Sequence, residues 1–526
     1  MKNIYMLHQS VELFAETTPD KEAVRFNKES LSYAELFEKS QQLAFVLQTH
    51  GVKRGDRVGI FMYKNIYSAV ALYGIMAAGA AYVPLDPYAP PNRIEYIIKN
   101  CEINIVVCHD RKKAVLEEIE PNLSLSAVIG IDSIESNKTP VISWDTVFNS
   151  PSELANPFHG TEQDIAYILY TSGSTGVPKG IVHTHRSGLS FAKWAAETYQ
   201  LTPNDVLSSH APLHFDLSTF DFYAGSLVGA TTVLIPEALT KFPANLSKWI
   251  QDEKITVWYS VPFALIQLMQ RGKLSEKNLS SLRWVLFAGE PFPTKHLREL
   301  MKIISHASFS NLYGPTETNV CTFYNVEPIP EDQNDLIPIG KACHNIEALV
   351  VDEEGQVVAD GEVGELYIRG GVVMLGYWGR PDLTEKGFYK RNSFDQFLDI
   401  FYRTGDLVQL RPDGNFRFLG RKDRQIKTRG YRVELDEIET TILSHADIQE
   451  AAVFPVSDGD GSHLIEAAVI PRADSGLTTD HLYSLLNENL PNYAIPSKIY
   501  LLDDFPRTST GKIDRRALQD LTKNLI

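Results

Sequence analysis

The chain is short of cysteine, lacks an apolar leader and carries no excess of positive charge, and each shortage removes a class of protein from consideration. Only four cysteines stand among 526 residues, at Cys101, Cys108, Cys321 and Cys343. No two form a Cys-x-x-Cys pair, so neither a disulfide scaffold nor a zinc site is supported. Thiols this sparse suit a reducing, cytoplasmic setting. Residues Met1 to Thr18 mix charges into their apolar positions and contain no signal-peptide core. The formal net charge of -16 argues against nucleic acid as a partner. The basic run from Arg421 to Arg432 is a local exception, and a solvated face would account for it equally well. From Ile66 to Leu85 no residue is charged, a length that approaches a membrane span. Gly79 and Pro84 interrupt it, however, and it reads as a buried helix followed by a buried strand, with no membrane partner. There is no internal repeat and no low-complexity segment.

What is present is ordinary globular composition, 44% hydrophobic and 22% charged, in a chain too long for one core. Short apolar runs at Arg57–Met62, Ile103–His109, Ala127–Ile131, Ile165–Leu169, Thr231–Ile235, Ile255–Ser260 and Trp284–Ala288 are strand candidates. Helical patterns at Ile66–Ala78, Ser187–Tyr199 and Leu246–Asp252 lie between them. That alternation predicts α/β layers with largely parallel sheets. From about Ala348 the texture becomes β-rich, with a hairpin at Leu349–Val358 and strands at Gly364–Arg369 and Asn415–Leu419. A boundary is expected near Gly420-Arg421-Lys422-Asp423. Beyond it, a helix (Glu434–Ser444), two strands (Ala451–Pro455, Leu464–Pro471) and a second helix (Thr479–Asn489) make a small α+β unit.

Three motifs carry chemistry. Tyr170-Thr171-Ser172-Gly173-Ser174-Thr175-Gly176-Val177-Pro178-Lys179-Gly180 sets three glycines, four aliphatic hydroxyls and a lysine in one turn after an apolar strand. Glycines let backbone approach an anion, and hydroxyls and N–H groups grip it. It is not the common P-loop, which ends in Gly-Lys-Ser/Thr; alone it could be a flexible surface loop. Tyr313-Gly314-Pro315-Thr316-Glu317-Thr318 combines an aromatic, a tight turn, a hydroxyl and a carboxylate, suited to a base, a phosphate and Mg²⁺. Tyr402-Arg403-Thr404-Gly405-Asp406 places a carboxylate after a turn, suited to a pair of ribose hydroxyls. Each of the last two could also be a plain turn.

These motifs occur in one order with Leu31–Leu36 (LSYAEL), Ala78–Pro87 (AGAAYVPLDP), Phe215-Asp216-Leu217-Ser218, Gly364–Gly370 (GELYIRG), Gly420–Glu434 (GRKDRQIKTRGYRVE) and Thr510-Gly511-Lys512-Ile513-Asp514. Together they resemble the adenylation domains of nonribosomal peptide synthesis, members of the adenylate-forming superfamily, across nearly the whole chain. The resemblance implies a large N-terminal domain of layered α/β subdomains with a small β-rich subdomain (1–420), then a small mobile α+β C-terminal domain (421–526). It implies ATP and Mg²⁺ as cofactors. Thr171, Ser172, Gly173, Ser174, Thr175, Gly176 and Lys179 would grip the triphosphate. Tyr313 would stack on adenine, Thr316 would touch phosphate, Glu317 would hold the metal, and Asp406 and Arg421 would bind the ribose. Lys512 would bridge carboxylate and α-phosphate, Asp423 would be the hinge, and Gly430 would serve thiolation. No enzyme nucleophile is needed, so no cysteine has to be catalytic.

Within the same resemblance, an Asp after the Phe of FDxS pairs with the substrate's α-amine, which assigns that role to Asp216. The pocket positions would be Asp216, Leu217, Phe220, Tyr259, Leu286, Ala288, Leu312, Val320, Cys321 and Lys512. Charges stand at both ends and the middle is apolar, apart from one phenol and one thiol. Acids with charged side chains are therefore disfavoured, and the two aromatics and three leucines leave little room for a large one. The set resembles the proline code of stand-alone adenylating enzymes, departing from it at Phe220, where leucine is usual. L-proline is the expected substrate, ring-substituted prolines should fit less well, and the acceptor is expected to be a separate phosphopantetheinylated carrier protein. An acyl- or aryl-CoA ligase, a D-alanine–carrier ligase and a non-enzymatic nucleotide-binding protein are the alternatives.

Overall fold

The computed structural model describes residues 3–135, 138–154, 157–173, 176–394, 396–458, 462–472, 475–507 and 513–523. They form two compact units, one of 1–87, 97–170 and 180–422, the other of 88–96, 171–179 and 423–526.

In the first unit two large sheets share one apolar core with the helices Tyr33–Thr49, Ile66–Ala77 and His185–Thr198. The eight-stranded sheet centres on four short strands, Arg57–Phe61, Ala81–Pro84, Ile105–Cys108 and Ile165–Thr171, joined in parallel. The nine-stranded sheet sets Val206–Ser209, Val257–Ser260, Trp284–Ala288 and Ser308–Tyr313 side by side, also in parallel. Central strands covered on both faces read as unbroken apolar runs, which is why their positions are visible from sequence.

The uncharged stretch after Asn65 is a buried helix, Ile66–Ala77. Asn65 starts it, accepting from the Tyr67 N–H at 2.8 Å and donating its own N–H to Ser68 Oγ. Gly79 ends it at φ +85, a conformation open chiefly to glycine, and the chain enters the strand Ala81–Pro84. Among the described residues no helix is long and apolar enough to cross a membrane.

A third, antiparallel sheet contains Ile346–Val351, Val363–Gly370, Phe397–Leu410, Phe388–Phe394 and Phe416–Arg421. Two local expectations change here. The chain does turn between Asp352 and Gln356, with Val351 bridging Val357, but the full partner of Ile346–Val351 is Val363–Gly370. Asp406 does not follow a turn. It lies inside the long strand Phe397–Leu410, where Gly405 at φ +75 and shifts of register next to it make a bulge.

The second unit carries the hairpin Gln425–Thr428/Tyr431–Glu434 and a sheet of Ile448–Ser457, His463–Pro471 and Lys498–Leu501. The helices Leu435–Leu443 and Thr479–Asn489 pack on a core that includes Val433, Ile438, Val453 and Leu482. Arg429 and Gly430, at φ 51 and 87, form the hairpin's two-residue turn, and both must be left-handed for that turn type.

The helices Tyr33–Thr49 and Ile66–Ala77 pack closely at Gly74, where an added Cβ would lie 2.8 Å from the Ser40 carbonyl oxygen. Backbone cannot swing aside as a flexible side chain would. Gly74→Ala is expected to lower stability by about 1–3 kcal/mol, read as a drop in the urea midpoint at unchanged slope.

Candidate active site

Parallel strands end on one edge, and side chains far apart in sequence meet there. Tyr259 stands opposite Leu286, and Ala288 opposite Leu312, in adjacent parallel strands. With Phe220 and Val320 they share one core cluster, and Leu217 packs against it. Phe220 is fully buried, edge-on to Tyr259 at 5.2 Å and flanked by Phe191 and Tyr199. That aromatic packing holds the ring in place. Asp216 lies just before, half-buried, its carbonyl accepting from the Thr219 hydroxyl at 2.6 Å; Asn319 donates to the same hydroxyl at 2.9 Å. Cys321 stands apart from this group: it packs with Ile339, Leu366 and Phe416, with Tyr313 against that cluster.

Tyr313, Asp406 and Arg421 come together. The Tyr313 hydroxyl donates to Asp406 Oδ2, and Arg421 donates to Asp406 Oδ1 at 2.7 Å. Arg421 reaches it because the two residues are register partners in neighbouring antiparallel strands. Asp406 is buried and Arg421 half-buried, and burial, then the Asp406 charge, raises the Tyr313 phenol well above its ordinary pKa. A planar ring beside a fixed carboxylate can take a base on its face and hydroxyls at its edge.

The tight turn after Tyr313 requires glycine, since a Cβ on Gly314 would sit 1.7 Å from the Asn319 carbonyl oxygen. It delivers Thr316 and Glu317. Glu317 is completely buried, its Oε1 accepting from the Tyr377 hydroxyl at 2.7 Å, and Tyr377 meets Tyr402 at 3.2 Å. The Thr316 carbonyl lies 2.9 Å from His183 Nε2, while His183 Nδ1 lies 3.0 Å from Ser187 Oγ. A carbonyl only accepts, so Nε2 carries the proton. Burial lowers the His183 pKa to about 4 and keeps the ring neutral. His183, Tyr377 and Asn319 were not singled out from the sequence. Single histidines and tyrosines have no spacing signature, and only the fold brings them to the motif.

Burial, the first cause in each case, also pushes the thiols of Cys101, Cys108 and Cys321 up to about 12 and raises Cys343. All four are buried, free and protonated, which is poor chemistry for a nucleophile.

The glycine- and hydroxyl-rich loop belongs to the second unit. A Cβ on Gly173 would fall 2.0 Å from the Val177 carbonyl oxygen, and Gly176 sits at φ +78. Ser172 Oγ donates to the Arg432 carbonyl at 3.0 Å and accepts from the Glu434 N–H at 3.3 Å. Thr171 Oγ1 is buried with no hydrogen-bond partner among the described residues. Lys179 opens the strand Lys179–Thr184. Asp423 Oδ1 accepts from the Gln425 N–H, and Gly430 is in the hairpin turn. Ser174, Thr175 and Lys512 lie outside the described residues.

A profile of the AMP-binding enzyme family matches residues 11–378, and one of the AMP-binding enzyme C-terminal domain matches residues 437–512. The chain belongs to the AMP-binding enzyme family. Among curated relatives, it is 37% identical to an L-proline–L-prolyl-carrier protein ligase of Pseudomonas fluorescens over 98% of both chains. It is 35% identical to a Streptomyces coelicolor protein of the same name, over 93% of this chain and 91% of that one. Among solved structures, amide bond synthetase McbA from Marinactinospora thermotolerans superposes with a TM-score of 0.87 at 23% identity, over 98% and 99% of the two chains. The Vibrio cholerae adenylation domain AlmE, in complex with glycyl-adenosine-5'-phosphate, does so with 0.83 at 23%, over 100% and 99%. The fold is thus that of the adenylate-forming enzymes, members of which use ATP.

The buried histidines set a pH dependence of stability. His183 and His8 are held neutral with pKa values of about 4, against 6.5 for the free side chain. Unfolding lets them protonate, so between 6.5 and 4 the unfolded chain binds more protons. Their contribution is fully present above 6.5 and is lost as pH falls towards 4. The urea midpoint is expected to be lower at about pH 5 than at about pH 7.5, and His183→Asn to flatten that slope.

Proposed function

We propose that this AMP-binding enzyme activates L-proline with ATP, releasing pyrophosphate, and passes the prolyl group to the phosphopantetheine thiol of a separate carrier protein. The observation that carries the reading is the match, along nearly the whole of both chains, to an L-proline–L-prolyl-carrier protein ligase. The residues agree in kind: half-buried Asp216, whose charge bears on Tyr259, directly precedes Leu217 and Phe220 of the apolar cluster. A substrate ammonium would pair with Asp216, and a compact apolar ring would suit side chains such as Phe220, Tyr259 and Leu286. An acyl-CoA ligase has no use for a carboxylate there.

In the first half-reaction the proline carboxylate attacks the α-phosphorus of ATP. An O–P bond forms, the bond to the bridging oxygen breaks, and pyrophosphate leaves with the electron pair. In the second, a thiol that gives up its proton attacks the acyl carbon of the mixed anhydride: a C–S bond forms, the acyl C–O bond breaks, and AMP leaves with that electron pair. On this reading Tyr313 stacks the adenine, Asp406 and Arg421 hold the ribose, and Thr171, Ser172, Gly173, Ser174, Thr175, Gly176, Lys179 and Thr316 serve the phosphates. The Thr171 hydroxyl, buried without a partner, is the kind of group a phosphate oxygen satisfies. Glu317 would hold Mg²⁺. Its carboxylate is oriented by Tyr377, and an ion carried by phosphates takes only one or two carboxylates. The ion would neutralise charge on the phosphates. Lys512 would neutralise charge as the displacement proceeds, and the segment after Asp423, with Gly430, would serve thiolation.

Two outcomes are expected. In ATP–pyrophosphate exchange with all twenty amino acids and simple carboxylic acids, proline exceeds every other acid. Valine is activated weakly, because about one methylene in an apolar pocket is worth only about 1–3 kcal/mol; alanine or phenylalanine exceeding proline contradicts the pocket. Lys512→Ala lowers exchange by about 10²–10³-fold yet spares thiol transfer from supplied prolyl-adenylate, and near-normal exchange contradicts the role.

A further inference from the structure

The strongest unexplained feature of the first unit is a lysine in its interior. Lys64 is 2% exposed. Its ammonium donates to three successive carbonyls, Ser209 at 2.6 Å, His210 at 3.0 Å and Ala211 at 2.8 Å. These use every proton the group has. The carbonyls lie where the strand Val206–Ser209 ends and the chain begins its run to Asp216. The Ser209 carbonyl also accepts from the Ile235 N–H at 3.3 Å as the sheet ends, and a buried cation is tolerated only when it is fully bonded.

A buried carboxyl stands at the far end of that run. Asp221 is 1% exposed, and burial raises its pKa well above the usual carboxylate range, with the Lys64 charge and the Ser209 hydroxyl acting the other way. It sits in the π-helical turn Phe220–Ala224, next to the pocket residue Phe220. Single π-turns gather at functional sites. The other titratable groups that bear on Lys64 are Glu237, whose Oε1 accepts from the Lys64 N–H at 3.4 Å, and His210. Lys64 itself is tied down, standing immediately before the helix cap Asn65. Segment 209–221, which bears Asp216, Leu217 and Phe220, is therefore held at its start by three hydrogen bonds from an anchored lysine.

We propose that Lys64 is a positioning residue for the amino-acid pocket: it fixes the start of segment 209–221 and so sets where Asp216 meets the substrate amine. The inference rests on the proposed proline activation, and nothing in it concerns the nucleotide.

The test is pyrophosphate exchange by the full chain carrying Lys64→Met, Lys64→Gln or Lys64→Arg, with KM measured separately for proline and for ATP. Small misplacements remote from the chemistry cost up to about 10²-fold. Lys64→Met is expected to raise the proline KM at least about tenfold, with the ATP KM held within about twofold. Lys64→Arg, which keeps the charge and the donors, recovers part of the loss. Lys64→Gln, which keeps a side-chain donor without the charge, raises the proline KM in the same sense and decides the matter if Lys64→Met does not fold. An unchanged proline KM in folded Lys64→Met or in Lys64→Gln overturns the proposal, as does an equal rise in both KM values. The wild type is measured first: no exchange with proline overturns the proline reading instead, and the acid it does activate then takes proline's place in the comparison.

Discussion

Everything at this site depends on a constraint of parallel sheets: neighbouring strands all end on the same edge. Tyr259, Ala288 and Tyr313 are at or next to the C-terminal ends of strands separated by whole helices in sequence. Sheet register alone brings them side by side. Loops leaving that edge carry the reactive groups, because a packed sheet holds their roots still. Asp216 and Glu317 both leave this edge, one following Val206–Ser209 and the other following Ser308–Tyr313, with two strands between them.

Polar groups rooted in such an interior must be paired, and the pairings decide the chemistry available. Asp406 is held between a phenol and a guanidinium. The Thr316 carbonyl is occupied by a neutral histidine, and Glu317 is oriented by Tyr377. The cysteines, by contrast, are protonated core thiols. The first unit thus offers fixed charges and donors but no thiolate, which suits displacement at phosphorus stabilised by electrostatics.

Much of this was legible in the sequence, for reasons that differ by element. Trp284–Ala288 and Thr479–Asn489 have the predicted bounds, because an unbroken apolar strand and a helix with its Thr478 cap are local signals. Asp406 was found by its motif but assigned to a turn; the bulge at Gly405 depends on its partner strands, which lie elsewhere in the chain. The partner of Ile346–Val351 was missed because its turn mimics a short hairpin. Lys64 was invisible for a stronger reason. Nothing around Tyr63-Lys64-Asn65 distinguishes a buried lysine from a solvated one, and its acceptors lie some 145 positions away. Motifs expose the residues that meet the ligand, whereas those that hold them in place are found only in the fold.

The central claim is that a single carboxylate, Asp216, selects an amino acid by its ammonium group within an otherwise apolar box. Tetrahydrofuran-2-carboxylate keeps proline's ring and carboxylate and replaces the amine with an ether oxygen. Pyrophosphate exchange should be compared for proline and this analogue, in the wild type and in Asp216→Asn. The account predicts that the wild type activates proline and not the analogue, and that Asp216→Asn loses most of its proline activity and with it the discrimination. Comparable exchange with the two acids in the wild type, or undiminished preference for proline in Asp216→Asn, would contradict it.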